Sequence, residues 1–357
     1  MTEPKTTPAA GQKAPTGWRK PQTKRLVGTG VGIAIVAVTF AFVLPKIANY
    51  GDVWAVVKTM SWSDIAIVLG ATVLNLATFA PPWMAALPGL RFRQAFVVTQ
   101  ASTASTYVAP GGAAVGMAAS FAMLRAWGFK SAAVSLAVAV TGVWNQLAML
   151  GFPIVALALL TLTGEGDRTL QTVSLIGLAV FVVVVAGFAA GLSSASLARR
   201  VGDIAARVVS WGKRLIRRGP VTWTGESFVR FRAQTNTLLK RRWHVLTLAT
   251  LAGQLTVFLV LLACMRVLNV SSAEVSTIEA FAAWALVRLL GSIPLTPGGL
   301  GIVELGLTAA LVRFGGNHAE VVAAVLIYRF MTMVPTLLIG ALAGATWKRH
   351  RPKALAS

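Results

Sequence analysis

A chain of 357 residues that is 56% hydrophobic and only 12% charged carries half the charge usual for a soluble domain, about 25%. Apolar runs of 18 or more residues recur along it, each long enough to cross a hydrocarbon core of roughly 30 Å, and they do not alternate as barrel strands do. The chain therefore reads as an all-α polytopic membrane protein. Its net charge of +22 would suit nucleic acid, but the basic residues lie between apolar runs rather than on a folded basic surface. A positive-inside bias with anionic-lipid contact is the simpler reading, and no nucleic acid is expected. The single cysteine, Cys264, sits in an apolar run, and His244, His318 and His350 are dispersed. No disulfide, metal or cofactor is expected.

In chain order, residues 1–25 form a polar tail rich in Pro, Thr and Lys. The apolar run 26–44 exceeds a typical signal-peptide core and is expected to be a retained first span. Residues 49–60 look like a short amphipathic segment at the interface. Further spans are expected at 62–86, 131–162, 169–191, 243–268 and 319–347, about six full spans in all. Residues 195–242 read as a polar, Arg-rich connection with weak helical amphipathicity, and 348–357 as a basic tail. The organisation is a single transmembrane domain over 26–347 with no room for a separate enzymatic domain. Repeat 1 covers about 62–162, the basic connection 192–242, and repeat 2 about 243–347.

Two stretches, 94–124 and 278–312, each hold two apolar halves separated by Pro-Gly-Gly, at Pro110-Gly111-Gly112 and Pro297-Gly298-Gly299. Proline removes a donor and glycine permits positive φ, so both helices must break. A kinked span and a re-entrant hairpin both fit a break, and charge separates them. With two hairpins, 26 of the 33 Lys and Arg fall on one side. If the first stretch crosses instead, the basic cluster of 192–242 moves to the other side, against the orientation rule. An offset of 187 superposes the two breaks. Each unit is then span, hairpin, span, and the hairpins enter from opposite faces as inverted repeats of the secondary-transporter type. Both termini are expected in the cytoplasm, with the chain in a bacterial inner membrane.

The breaks are the first candidate site. The half-helices beginning at Gly111-Gly112 and Gly298-Gly299 would leave unbonded N–H groups at their starts, favourable to an anion. The plainer alternative is that Pro-Gly-Gly only turns the chain, with Ser105, Thr106, Ser292 and Thr296 satisfying the freed backbone. Intramembrane ionisable residues come next, because they are costly unless paired or functional. Arg288 and Glu304 flank the second break and are expected to be able to pair across the hairpin, and Arg329 in the last span can reach the same place. Either the arginines take a lipid phosphate while Glu304 balances charge, or Arg288 and Glu304 form a salt bridge that fixes the hairpin. The offset places Ala101 and Met117 opposite Arg288 and Glu304, so the site is asymmetric. Asn75, Gln100, Asn145, Gln146 and Gln254 read as ties between helices. Gly187 to Gly191 and Gly340 to Gly344 have the spacing for close helix packing.

The stretches LTPGGLGIVELGL (295–307), IYRFMTMVPTLLIGAL (327–342) and YVAPGGAAVGMAASFAMLR (107–125) resemble the transmembrane-region family of lysylphosphatidylglycerol synthases over roughly residues 25–347. In the bifunctional multiple peptide resistance factors of that family, this region is taken to flip aminoacylated phosphatidylglycerol made by a separate soluble domain. The resemblance implies a flippase-like protein rather than an enzyme. Its partner would be a membrane phospholipid or an aminoacyl or glycosyl lipid, with a separate lipid-modifying enzyme and an oligomer as further partners to consider. No paired carboxylates, metal ligands or nucleophile–base set speak for catalysis. The expectation is a lipid translocase. The alternative is a non-transporting, lipid-binding scaffold that docks an envelope or lipid-modifying enzyme through the basic connection.

Overall fold

The computed structural model describes residues 54–55, 58–108, 112–162, 168–215, 225–292 and 296–347. The expected first span, both tails and much of the 49–60 segment lie outside the described residues. Every regular element among the described residues is helical. They are α1 (Trp62–Thr78), α2 (Pro81–Ala86), α3 (Phe92–Val108), α4 (Gly112–Ala126), α5 (Ser131–Leu162), α6 (Arg168–Ser193), α7 (Ala195–Leu215), α8 (Gly225–Val267), α9 (Thr277–Gly291), α10 (Ile302–Arg313) and α11 (His318–Thr346). A 3₁₀ turn, Pro297–Gly299, lies between α9 and α10. Five stretches are long and apolar enough to cross a membrane: Trp62–Ala86, Ser131–Leu162, Leu175–Ser193, Gly225–Val267 and His318–Thr346. They match the five expected spans that fall on described residues.

Local chemistry fixes where these helices start. Ser61 and Asp64 exchange backbone and side-chain bonds at the head of α1, with Ser61 N–H donating to Asp64 Oδ2 at 2.8 Å. Ser276 and Glu279 do the same for α9, so two orphan donors are satisfied reciprocally in each case. The Asn317 side chain accepts from Ala319 N and Glu320 N to open α11. Pro81 stands at the first position of α2, where its missing N–H costs nothing.

α3 folds back on α4, and α9 on α10. A Cβ on Gly116 would lie 2.8 Å from Ser102 O, while Gly112 abuts Thr106, so residues equidistant from the break face one another. In the second pair Val287 lies against Gly306 and Val303 against Gly291. The limbs have 17, 15, 15 and 12 residues, or roughly 18–26 Å each at 1.5 Å per residue. All are shorter than a hydrocarbon core of about 30 Å.

Two apolar cores hold these hairpins at opposite ends of the bundle. One gathers α9, α10 and the first half of α11 (Val321 to Tyr328) with the later parts of α5 (Phe152 to Leu160) and α8 (Val257 to Leu268). The other gathers α2, α3 and the end of α4 with the early part of α5 (Val134 to Val140), Leu246 of α8 and Ala343 near the end of α11. Trp127, just past α4, donates to Trp347 O at 3.0 Å, whereas Gly316, just past α10, packs on Val321. The hairpins thus have their bases at opposite ends of α11. Their free ends meet along it, for Gly298 lies against both Tyr107 of α3 and Met333 of α11.

Packing partners are preserved when the two units are exchanged. α3 packs on α11 as α9 packs on α5, α4 on α5 as α10 on α11, and α1 and α8 pack on each other. α6 lies outside this core, touching α5 through Gly151–Phe181 and Trp144–Phe188. It leads back to α7, which packs on the start of α8. The amphipathicity of α7 is strong rather than weak as expected: Ala198 is buried and Gly202 meets Phe228, while Arg199, Arg200 and Arg207 are exposed. The run of basic residues conceals this, because arginine falls on the borders of the apolar stripe as well as opposite it.

Of the glycine pairs, Gly340 is in close contact, its missing Cβ leaving room for Ala104 and for Gln100 O at 2.5 Å, while Gly187, Gly191 and Gly344 face open space. A Gly340→Val substitution is therefore expected to cost about 1–3 kcal/mol through overpacking and to lower the melting temperature in detergent. Gly344→Val on the same helix is expected to leave it unchanged.

Candidate functional site

The second break is built from three left-handed glycines within four residues. Gly298, Gly299 and Gly301 have φ of 63°, 68° and 84°, a region where a Cβ is strained, so the turn demands glycine. It delivers Glu304 to the first turn of α10, where its Oε2 accepts from Gly301 N at 2.7 Å. The expectation of bare amides at this tip is narrowed by that bond, since a carboxylate within the chain takes the Gly301 N–H at the helix start.

The other oxygen of Glu304 meets Arg329 of α11. Arg329 Nε lies 2.6 Å from Glu304 Oε1, and Arg329 Nη2 donates to Gly298 O at 2.9 Å. Glu304 and Arg329 are 1% and 6% exposed. One guanidinium therefore ties three things at once: the turn, the helix that follows it, and α11. The Arg288–Glu304 salt bridge, one of the two alternatives, is not formed. Gly301 N–H and Arg329 claim both carboxylate oxygens, and Arg288 turns to α8 instead.

Arg288 donates through Nε and Nη2 to Gln254 Oε1 at 3.0 and 2.7 Å. Gln254 in turn donates to Asn145 Oδ1 of α5. The Arg288 guanidinium also lies 5.5 Å over the Trp284 ring, within range of a cation–π attraction. Tyr328, next to Arg329 on α11, is buried in the same core as Trp284. Among the described residues no three His, Cys, Asp or Glu side chains converge.

Of the expected site residues, Arg288, Glu304, Arg329, Gly298 and Gly299 lie together around this turn. Gly112 starts α4 against Thr106, and Gly111 lies outside the described residues. Ser105, Thr106 and Ser292 donate to Ala101 O, Ser102 O and Leu289 O, satisfying carbonyls in their own last turns. Thr296 Oγ1 is buried without a partner among the described residues. Asn75 and Gln100 tie helices as expected, to Thr256 Oγ1 and to Leu76 O. Sequence reasoning missed the roles of Tyr107 and Trp284. An aromatic ring in an apolar run carries no signal of its own, and only the fold places one beside an arginine.

Removing one member of a buried ion pair leaves an uncompensated charge and costs about 3–5 kcal/mol. Glu304→Gln and Arg329→Gln are each expected to lower the melting temperature of the purified protein sharply. The double variant is expected to recover much of that loss, which a double-mutant cycle measures directly.

A family model described as the lysylphosphatidylglycerol synthase transmembrane region matches residues 30–340. That range takes in both hairpins and Arg288, Glu304 and Arg329. No curated protein matches the chain. The family points to a membrane role connected with lipid. On the breadth of this match the chain belongs to the lysylphosphatidylglycerol synthase transmembrane-region family.

Proposed function

We propose that the chain is a lipid translocase, in which a polar or anionic head group passes between two inverted repeats while the acyl tails stay in the bilayer. One observation carries the reading: two hairpins too short to span approach from opposite ends of α11 and meet beside Gly298 and Tyr107, next to Arg288, Glu304 and Arg329. If α11 crosses the bilayer, both hairpins are re-entrant and their meeting point is near the midplane. Transporters with inverted repeats bind substrate at such a place, at broken helices. The exchange of packing partners between α3–α11 and α9–α5 supports the pseudo-two-fold relation.

Charge gives the orientation. Arg91, Arg93, Arg125, Lys130 and the basic α7 belong to the end of the bundle that holds the first hairpin's base, whereas Arg266 and Arg313 belong to the other. By the positive-inside rule the first end is cytoplasmic, in a bacterial inner membrane. In this reading the chain moves lipid and does no covalent chemistry. The tip of the second hairpin serves through Arg288, because Glu304 and Arg329 already hold one another.

A second reading is favoured by α7, whose exposed Arg199, Arg200 and Arg207 would dock a separate lipid-modifying enzyme beside a lipid-binding but non-transporting scaffold. The two separate in proteoliposomes carrying a fluorescent anionic phospholipid. Translocation predicts head-group movement that Arg288→Ala reduces by at least tenfold with the melting temperature held, and that neutralising Arg199, Arg200 and Arg207 leaves in place. No movement with the native chain would sink it. Enzyme capture lost on neutralising α7 would then favour the scaffold.

A further inference from the structure

Arg288 and Arg329 are both arginines at the second hairpin, but their partners differ in kind. Arg329 is neutralised by Glu304. Arg288 has only amides and a ring: Gln254 Oε1 accepts both of its bonds, and Trp284 lies beneath it. Among the described residues no carboxylate pairs with it, the two ion pairs there being Arg199–Glu226 and Arg329–Glu304.

The polarity of this relay is fixed from one end. A guanidinium can only donate, so the Gln254 oxygen must face Arg288 and its NH₂ must face away. That NH₂ reaches Asn145 Oδ1, and the Asn145 NH₂ is left to Met149 Sδ at 3.5 Å. Gln254 is buried, near the middle of the apolar part of α8, and Asn145 is near the middle of α5. Arg288 is therefore held by neutral partners between α8 and α9, with no counter-charge among the described residues. Arg266 also has neutral partners, Val270 O and Val275 O, but it stands in the last turn of α8, where a span meets water. An unpaired cation at depth is costly. Arg288 is half-buried rather than enclosed, and its Nη1 makes no bond to a described residue.

We propose that Gln254, steadied by Asn145, sets the charge preference of this site: it holds Arg288 in position without neutralising it, so that the free edge of the guanidinium takes an anionic oxygen of a lipid phosphate. This rests on the translocation reading only for the ligand being a lipid. A glutamate at position 254 would have the same shape and would accept the same two bonds, more strongly because charge-assisted. The amide does two things that the carboxylate cannot: it leaves the positive charge unspent, and it donates to Asn145 Oδ1, a bond that a glutamate replaces only when Asn145 turns its own NH₂ toward the carboxylate. Gln254 and Asn145 are thus positioning residues that act through Arg288.

The test is calorimetric binding to the full chain in neutral detergent, with three probes: dihexanoyl phosphatidylglycerol (a monoanion), dihexanoyl phosphatidylcholine (net neutral) and inorganic phosphate. The native chain is expected to prefer the anionic lipid over the neutral one by about tenfold or more, the scale of a hydrogen bond to a charged group. Gln254→Glu is expected to erase that ratio while the melting temperature holds or rises, a result that a merely structural tie would not give. Arg288→Lys keeps the charge and is expected to keep the ratio at weaker overall affinity, and Asn145→Ala to weaken binding severalfold with the ratio retained. A preserved ratio in a folded Gln254→Glu protein, or a lost one in Arg288→Lys, would overturn the proposal. Inorganic phosphate bound as tightly as phosphatidylglycerol would overturn the lipid assignment. Selective binding without transport by the native chain would leave this inference standing and remove translocation; transport with an unchanged ratio in Gln254→Glu would do the reverse.

Discussion

An ionised carboxylate and a guanidinium can persist inside an apolar bundle only if each finds the other and their remaining hydrogen-bonding capacity is also met. Glu304 and Arg329 satisfy that condition through the backbone, with Gly301 N–H on one oxygen and Gly298 O on one nitrogen. The pair therefore stabilises a turn whose Gly301 N–H and Gly298 O it supplies with partners. The left-handed glycines, the burial of the carboxylate and the position of α10 against α11 all depend on it. Without the pair, the break at Pro297 would be a helix end with nothing to cap it.

The same constraint explains how polar residues are distributed elsewhere. Between helices in lipid, association gains little from the hydrophobic effect and relies on close packing and side-chain bonds. Gly340 lets α3 settle against α11, while Asn75, Thr78 and Thr256 join α1 to α8 and Gln100 reaches Leu76 O. Phe152, Phe258, Phe281 and Trp284 pack edge-on and tilted between α5, α8 and α9. The hairpin limbs, each too short to cross, pack on the long spans: α3 and α10 on α11, α4 and α9 on α5.

Much of this architecture was legible in the sequence because it rests on strong local signals. Apolar length marked the five described spans, and Pro-Gly-Gly marked both breaks. The partner choice of Arg288 was not legible. Spacing along the chain placed Arg288 and Glu304 at similar distances from the break, and nothing in that spacing says that Gly301 N–H and Arg329 take both oxygens first. Gln254 and Asn145 were visible only as polar residues in apolar runs. Their order in a relay follows from the donor-only chemistry of arginine once α5, α8 and α9 are known to be neighbours. The amphipathicity of α7 was blurred for a different reason, since long basic side chains can border an apolar stripe while keeping their charge in water.

The two hairpins are alike in topology but not in what holds them. The second is fixed by an ion pair with backbone bonds of defined direction, which cannot be re-formed one helical step away. The first is tied away from its tip by Gln100 to Leu76 O, Thr99 to Phe79 O and Trp127 to Trp347 O, but nearer its tip it lies on α11 through Ala104 and Gly340, with Ser105 and Thr106 bonded only to carbonyls of their own turns. Dispersion contacts of this kind can be exchanged for similar ones after a small shift, because no single pair among them is worth more than a fraction of a kcal/mol. At the tips, the α3 side is thus held by packing, and the second hairpin by bonds of defined direction. Arg288 keeps its place through its two bonds to Gln254. An asymmetric pair of hairpins thus combines a fixed charge with a tip held by packing.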